Sequence, residues 1–273
     1  MAKFRGWGGA ALVTGASSGI GRALAEQIAA RGMDLVLTAR SRETLERLST
    51  DIARAHGVRV EFVAADLSIN ETSRMLEEAC RQWGMPVDLL VNNAGFGVYG
   101  PFGSQGASRE AELVRLNVMA PVELAARFLP GMIERRHGII FNVASTAAFA
   151  PVPWIGSYAA TKAHLLSWTH SLDVELRGSG VRAMVLCPGS TETDFHRVSG
   201  AAGKQRKNRF PKLTADEVAR LGLEGIDRGQ RVIVTGWVNR IHSAVASFVP
   251  DAWAATLAHN VMGPARRRDD ARG

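Results

Sequence analysis

No run of about 20 apolar residues occurs in this chain, so its sequence offers no helix suited to crossing a bilayer. The basic start, Met1-Ala2-Lys3-Phe4-Arg5-Gly6-Trp7, is followed only by a short apolar run before Thr14-Gly15. That run is better used as a strand than as the apolar core of a secretion signal. Cysteine is scarce: Cys80 and Cys187 stand far apart without metal-type spacing, which excludes a disulfide framework and reads as two buried thiols. The histidines are scattered, and no His/Cys/carboxylate cluster suggests a metal site. A soluble cytoplasmic protein without a metal is the expectation.

Acidic residues are in deficit, 26 against 33 Lys and Arg, for a net charge of +7. Such basicity raises nucleic acid, anionic substrates and membrane surfaces as partners. The concentrated charge sits in Lys204 to Lys212 and in Arg266-Arg267-Arg268. Phe210 is the one aromatic in either stretch, and no nucleic-acid-binding module accompanies them, so nucleic acid is not expected. A chain of 273 residues, 46% hydrophobic, suits one large α/β domain or two small ones with a substantial core.

Ala10-Ala11-Leu12-Val13 reads as a buried strand leading into Thr14-Gly15-Ala16-Ser17-Ser18-Gly19-Ile20-Gly21, after which Ile20, Leu24 and Ile28 recur at helical spacing. Strand, glycine-rich turn and helix together make a phosphate cradle, because glycines admit a close ligand and the helix start offers free N–H groups. The second strand, Leu35 to Ala39, lacks the acidic residue that would bond a ribose 2′-hydroxyl; Arg40 follows instead. A guanidinium suits a 2′-phosphate, so NADP(H) is expected over NAD, the plain alternative being an exposed Arg at a helix start.

Thr44 to His56 reads as a surface helix and Val58 to Ala65 as a third strand. Asp66-Leu67 then falls at a strand's C-terminal end, where Asp66 either accepts from an adenine amino group or caps a turn. A helix over Glu71 to Trp83 and a strand over Val87 to Val91, ending in Asn92-Asn93-Ala94-Gly95, continue the alternation. One long helix is predicted from Ser108 to Glu134, with Asn117 among Leu113, Leu116, Val118 and Leu124 as an amide that needs partners. A fifth strand, Gly138 to Ala144, delivers Ser145; a sixth spans Val181 to Cys187; Arg231 to Gly236 supplies the last. The pattern predicts a Rossmann-type doubly wound parallel sheet of about seven strands with helices on both faces.

Tyr158 and Lys162 stand four apart at the start of a helix marked by Leu165, Leu172 and Leu176. Residues so spaced share a helix face, bringing an ammonium near a phenol and favouring its ionised form. A half-buried Tyr beside a solvated Lys is the plain alternative.

Taken together these residues resemble the one-domain branch of the short-chain dehydrogenase/reductase family over roughly residues 8 to 195. The first turn is similar to its TGxxxGxG segment, Asn92 to Gly95 to its NNAG, and Asn117, Ser145, Tyr158 and Lys162 to its catalytic set. Pro188-Gly189-Ser190-Thr191-Glu192-Thr193 resembles its PGxxxT segment. The resemblance implies hydride transfer between NADP(H) and a ketone or aldehyde. Tyr158 would serve as general acid and base. Lys162 would lower its pKa and hold the nicotinamide ribose, Ser145 would bond the substrate oxygen, and Asn117 would hold a relay water. Gly15, Ser17, Ser18, Gly19, Ile20 and Gly21 would cradle the cofactor, with Arg40, Asp66, Leu67, Asn93, Ala94, Gly95, Pro188, Gly189, Thr191 and Thr193 lining the rest of its cleft.

Unlike many members, the chain continues well past its last strand. Trp237, Ile241, Val245 and Phe248 recur at helical spacing, with Arg240 and His242 off that face, predicting an amphipathic helix in an extension over 237–273. Its apolar face is expected first to pack on the domain formed by residues 1–236, next to cover the substrate mouth or a dimer partner, and last to touch a membrane surface. A homodimer or homotetramer is expected. On the family layout Phe149, Pro151, Val152, Pro153 and Trp154 would line the pocket and imply an apolar, bulky substrate, core or interface packing being the plain alternative. The basic stretch 204–212 suits an anionic substrate such as a 3-oxoacyl thioester of coenzyme A or a carrier protein, or is simply a solvated charged loop. A catalytically silent NADP-binding scaffold is the rival from another class, against which the intact Asn117, Ser145, Tyr158 and Lys162 argue.

Overall fold

The computed structural model of the chain describes residues 9–192, 212–246 and 249–262. Seven parallel strands form one sheet: β1 (Ala10–Thr14), β2 (Asp34–Ala39), β3 (Val60–Ala64), β4 (Val87–Asn92), β5 (Gly138–Val143), β6 (Val181–Cys187) and a last strand, Val232–Val234. Two short strands, β7 (Thr191–Glu192) and β8 (Leu213–Thr214), pair with each other in a separate ladder, so the last strand of the main sheet is β9. The main sheet runs β3-β2-β1-β4-β5-β6-β9. The chain winds outward from β1 to β3, returns to the middle at β4 and winds outward again, which opens a crevice between β1 and β4 at their C-terminal ends.

Strand alternation sorts the core onto two faces. Ala11, Val13, Leu35, Leu37, Leu89 and Val91 pack toward helices α1 (Gly19–Ala29) and α2 (Arg42–His56) and toward Ala215–Asp227. Leu12, Val36, Leu90 and Ile140 pack toward α3 (Thr72–Gln82), α5 (Ala120–Glu134) and α6 (Gly156–Glu175). Leu12 stands in register between Val36 and Leu90. Burial on both faces is why these strands read as unbroken apolar runs. Helix α2 begins two residues before the expected Thr44, because Ser41 caps it by accepting from Thr44 N; Gly57, at φ 69°, ends it in the left-handed conformation.

The predicted single helix from Ser108 to Glu134 is interrupted. It runs as α4 (Ala107–Val114), a π-turn (Arg115–Met119) and α5. Ala120 N donates to Arg115 O, one residue further back than an α-helix allows. Pro121, the second residue of α5, has no N–H to give the Asn117 carbonyl.

After α7 (Ala215–Asp227) and β9, the extension forms two helices, α8 (Trp237–Ala246) and α9 (Asp251–Met262). The apolar stripe expected to pack inward does not: Trp237, Ile241 and Val245 are exposed, while Ser243 is buried and Asn239 half-buried. Asn239 and Ser243 hold their places through bonds to Thr235 O and Asn239 O respectively. Phe248 lies outside the described residues. Among the described residues no helix is long and apolar enough to cross a membrane.

Candidate active site

The C-terminal ends of β1, β4, β5 and β6 carry Gly15, Asn93, Ser145 and Pro188 to one edge of the sheet. At β1, Thr14 ties the two sides of the crevice: its hydroxyl donates to Val91 O and accepts from Asn93 N (2.9 Å) and Ala94 N (3.0 Å). Asn93 Nδ2 donates in return to the carbonyls of Thr14 (2.9 Å) and Gly15 (3.3 Å). A side chain at Gly21 would place its Cβ 2.3 Å from that same Nδ2, so the first helix closes onto the crevice only with glycine there. Gly15 and Gly19 take positive φ in the intervening turn.

These residues fit a dinucleotide. Ser18 is extended and does not cap α1, whose first turn carries no acidic side chain, so its N–H groups are available to a phosphate anion. Arg40 is exposed at the end of β2, without a hydrogen bond or ion pair among the described residues, and its charge reaches Asp66. Asp66 is partly occupied: its Oδ1 accepts from Ser68 N (2.9 Å) and Ser68 Oγ (2.7 Å), the turn cap foreseen as one of its two roles. Bonds from Ser68 and the Arg40 charge hold its carboxyl below the usual range against the opposing effect of burial. Leu67 is buried beside it.

Tyr158 and Lys162 lie in the first turns of α6, 8% and 4% exposed. The Tyr158 hydroxyl is hydrogen-bonded to Ser145, whose oxygen also accepts from Ala147 N at 3.1 Å. Lys162 Nζ donates to Val143 O at 2.8 Å and sits 5.7 Å from the Tyr158 ring centroid. Burial pushes the phenol up to about 12, more than the Ser145 bond pulls it down. Burial likewise pushes Lys162 down to about 8. The depressed phenol implied by the family resemblance is therefore corrected. The shared helix face is present, but the ammonium is engaged by a backbone carbonyl and desolvation dominates. At neutral pH Tyr158 is a protonated donor and Lys162 remains mostly charged.

Asn117 is fully buried. Its Oδ1 accepts from Phe96 N (3.2 Å), and its Nδ2 donates to Phe96 O (2.9 Å) and Thr161 Oγ1 (3.1 Å). Thr161 donates to Tyr158 O at 2.7 Å. The amide thus clamps the loop after β4 to the helix that bears Tyr158, while the π-turn and Pro121 leave the Asn117 carbonyl without an α-helical donor. Gly95 lies against this cluster: a Cβ there would fall 2.9 Å from Asn117 Oδ1 and 3.5 Å from Lys162 Nζ.

Three contributors were not singled out from sequence. Thr14 and Thr161 act as connectors, and both were legible as hydroxyls beside motif residues. Cys187, fully buried at the end of β6, comes close enough to Lys162 and the Ser145 backbone to feel both, and burial raises its thiol to about 12. Pro188 O accepts from Thr146 N at 2.8 Å, joining the Pro188-Gly189 segment to the Ser145 turn, and Thr191 Oγ1 donates to Gly189 O at 3.1 Å. Thr193, Lys204, Arg206, Lys207 and Arg209 lie outside the described residues.

A nucleotide crevice at the switch point, with half-buried Ser145 and buried Tyr158 and Lys162 beside it, defines an oxidoreductase-type Rossmann domain. The family model described as short chain dehydrogenase matches residues 9–203, and the chain belongs to that family. A very-long-chain 3-oxoacyl-CoA reductase of Phaeosphaeria nodorum is 32% identical over 224 residues, 78% of this chain and 64% of the relative. This chain therefore spans just under two thirds of that relative's length. Among solved structures, a short-chain dehydrogenase from Sphingobium yanoikuyae in complex with NADPH has a TM-score of 0.77 and 32% identity, covering 90% of this chain and 98% of the other. The bulky-bulky ketone specific alcohol dehydrogenase from Comamonas testosteroni has a TM-score of 0.73 and 30% identity, covering 91% and 98%.

Proposed function

We propose that this chain is an NADP(H)-dependent oxidoreductase that interconverts a bulky, apolar ketone or aldehyde with its alcohol. The observation that carries the reading is the Tyr158 hydroxyl bonded to Ser145, with Lys162 buried on the same helix face beside the nucleotide crevice. Bound NADPH supplies the hydride. Ser145 and Tyr158 hold the substrate oxygen between two hydroxyls, stabilising the charge that develops there. Tyr158, kept protonated by burial, delivers the proton that completes the alcohol; in oxidation it accepts one. Lys162 offers a buried cation to the ribose hydroxyls. Phe96, Val98 and Ile155 gather in an apolar cluster around Tyr158, which favours an apolar substrate body.

A 3-oxoacyl thioester is the second reading, favoured by the name of the Phaeosphaeria relative and by the basic stretch at 204–212. Incubation with NADPH and a panel of aryl ketones, aliphatic ketones and 3-oxoacyl thioesters separates the readings by following NADPH absorbance. Binding of NADPH with no turnover of any carbonyl contradicts both and supports a silent scaffold. Association of two copies is part of the proposal, supported by exposed Val114, Met119 and Ile133 along α4, the π-turn and α5, and by Val174 on α6.

Arg40→Ala is expected to weaken NADPH by roughly ten- to a hundredfold and NADH little, because only NADPH brings a 2′-phosphate to the guanidinium. Equal losses in fluorescence titrations with the two nucleotides contradict this role. Lys162 gives a pH signature. Its ammonium is present below about 8 and lost above it. NADPH affinity should then be level on the acid side and roughly 30-fold lower at about pH 9.5 if only the charged form grips the ribose. Lys162→Met should bind weakly at both pH values; a variant that keeps the alkaline decline assigns it to another group.

A further inference from the structure

The extension touches the proposed site in three places. Helix α8 packs against the 3₁₀ turn Thr146–Phe149 that follows Ser145. Its Asn239 lies over the Pro188-Gly189 segment so closely that a Cβ on Gly189 would come within 2.2 Å of Asn239 Nδ2. Helix α9 reaches the loop before α6, where the His259 ring meets Trp154 with centroids 5.3 Å apart and planes tilted by 34°.

Trp154 is held for this contact in an uncommon way. Its φ of 71° lies in the left-handed region, which a bulky residue adopts only when its surroundings enforce it. Its carbonyl accepts from Gly100 N at 2.8 Å, tying the loop after β4 to the loop before α6. Its indole N–H is buried without a partner among the described residues. Three segments therefore meet at one residue: the loop carrying Phe96 and Val98 through the Trp154 carbonyl, the loop leading to Tyr158, and α9 through the Trp154 ring. Ala254, Ala255 and Ala258 give α9 a half-buried face of small residues, while Trp253 and Leu257 point outward.

We propose that the C-terminal extension forms one wall of the substrate mouth, and that the contact between Trp154 and His259 sets the size of the carbonyl compound admitted to Tyr158. The proposal rests on the oxidoreductase reading above. The tilted imidazole holds the indole in place, so the mouth is narrower than the loops alone would make it. Removing either ring leaves space that a bulky substrate fills and a small one does not.

The test uses the full chain with NADPH and two ketones, benzophenone and butanone. His259→Ala and Trp154→Ala should each raise the ratio of kcat/KM for benzophenone over butanone by about fivefold or more, the scale of a few carbon atoms' worth of pocket discrimination. The double variant should change it by less than the product of the single effects, since both act through one contact. His259→Phe, which retains a ring, should stay near the wild-type ratio. NADPH affinity, measured alongside, should be unchanged in His259→Ala. If turnover persists and neither alanine variant moves the ratio, or if the double variant is fully multiplicative, the proposed wall is wrong while the oxidoreductase reading stands. If the wild-type chain reduces no carbonyl at all, that reading falls and the wall with it.

Discussion

Tyr158→Phe is expected to lower turnover by roughly 10²–10⁴-fold, the range that a positioned general acid contributes, while leaving NADPH affinity little changed. The substitution removes one oxygen from a side chain that is otherwise packed against Phe96, Val98 and Leu113, so the ring keeps its place and the fold is not the variable. What disappears is the proton donor and one of the two hydroxyls facing the substrate oxygen. The burial that raises the phenol to about 12 makes this loss severe, because the native group is fully protonated at working pH and no solvent molecule in a buried site replaces it readily. Steady-state kinetics with a ketone substrate, paired with a nucleotide titration, measures both halves of the expectation. A Phe variant retaining near-normal turnover contradicts the assignment.

Ser145→Ala should cost roughly 10²–10³-fold in kcat, the scale for removing one preorganised donor from a developing oxyanion. Ser145 has two connections, accepting from Ala147 N and bonding the Tyr158 hydroxyl, so its loss also frees Tyr158 to reorient and leaves one turn N–H without its cap. Ser145→Thr separates these effects: it retains the hydroxyl and should recover a substantial part of the activity. A structural role alone predicts a lowered melting temperature with kcat preserved in the folded fraction. The catalytic role predicts reduced kcat with melting little changed.

The layered architecture and the position of the site were legible because they depend on periodicity and on motif residues at strand ends. Apolar runs located the strands of the main sheet, and the turn at Gly15 to Gly21 and the residues after β4 and β5 fell where a parallel sheet binds ligands. The break at Asn117 was not recognised, although its signal was present: Pro121, four residues later, cannot donate to the Asn117 carbonyl, and an apolar periodicity continuing across both halves concealed this. The phenol's direction was misjudged because a spacing of four reports a shared face and says nothing of how deeply that face is buried or what else the ammonium bonds. The direction of the extension's apolar stripe was not legible for a related reason. An amphipathic stripe identifies two faces of a helix but not which one meets the body, and here Asn239 and Ser243 face it while Trp237 remains 75% exposed. The Trp154–His259 contact joins residues too far apart in the chain for any local pattern to reveal it.

The central claim, hydride transfer from NADPH to a carbonyl carbon beside Tyr158, is tested most directly with isotopically labelled cofactor. NADPH deuterated at C4 of the nicotinamide, in separate preparations for each face, is incubated with the protein and benzophenone, and the alcohol is examined by mass spectrometry. The account predicts one deuterium on the carbinol carbon from one of the two preparations and none from the other, with product from the Tyr158→Phe variant lowered by roughly 10²–10⁴-fold. Product formed without deuterium from either preparation, or no product from any carbonyl tried, contradicts it.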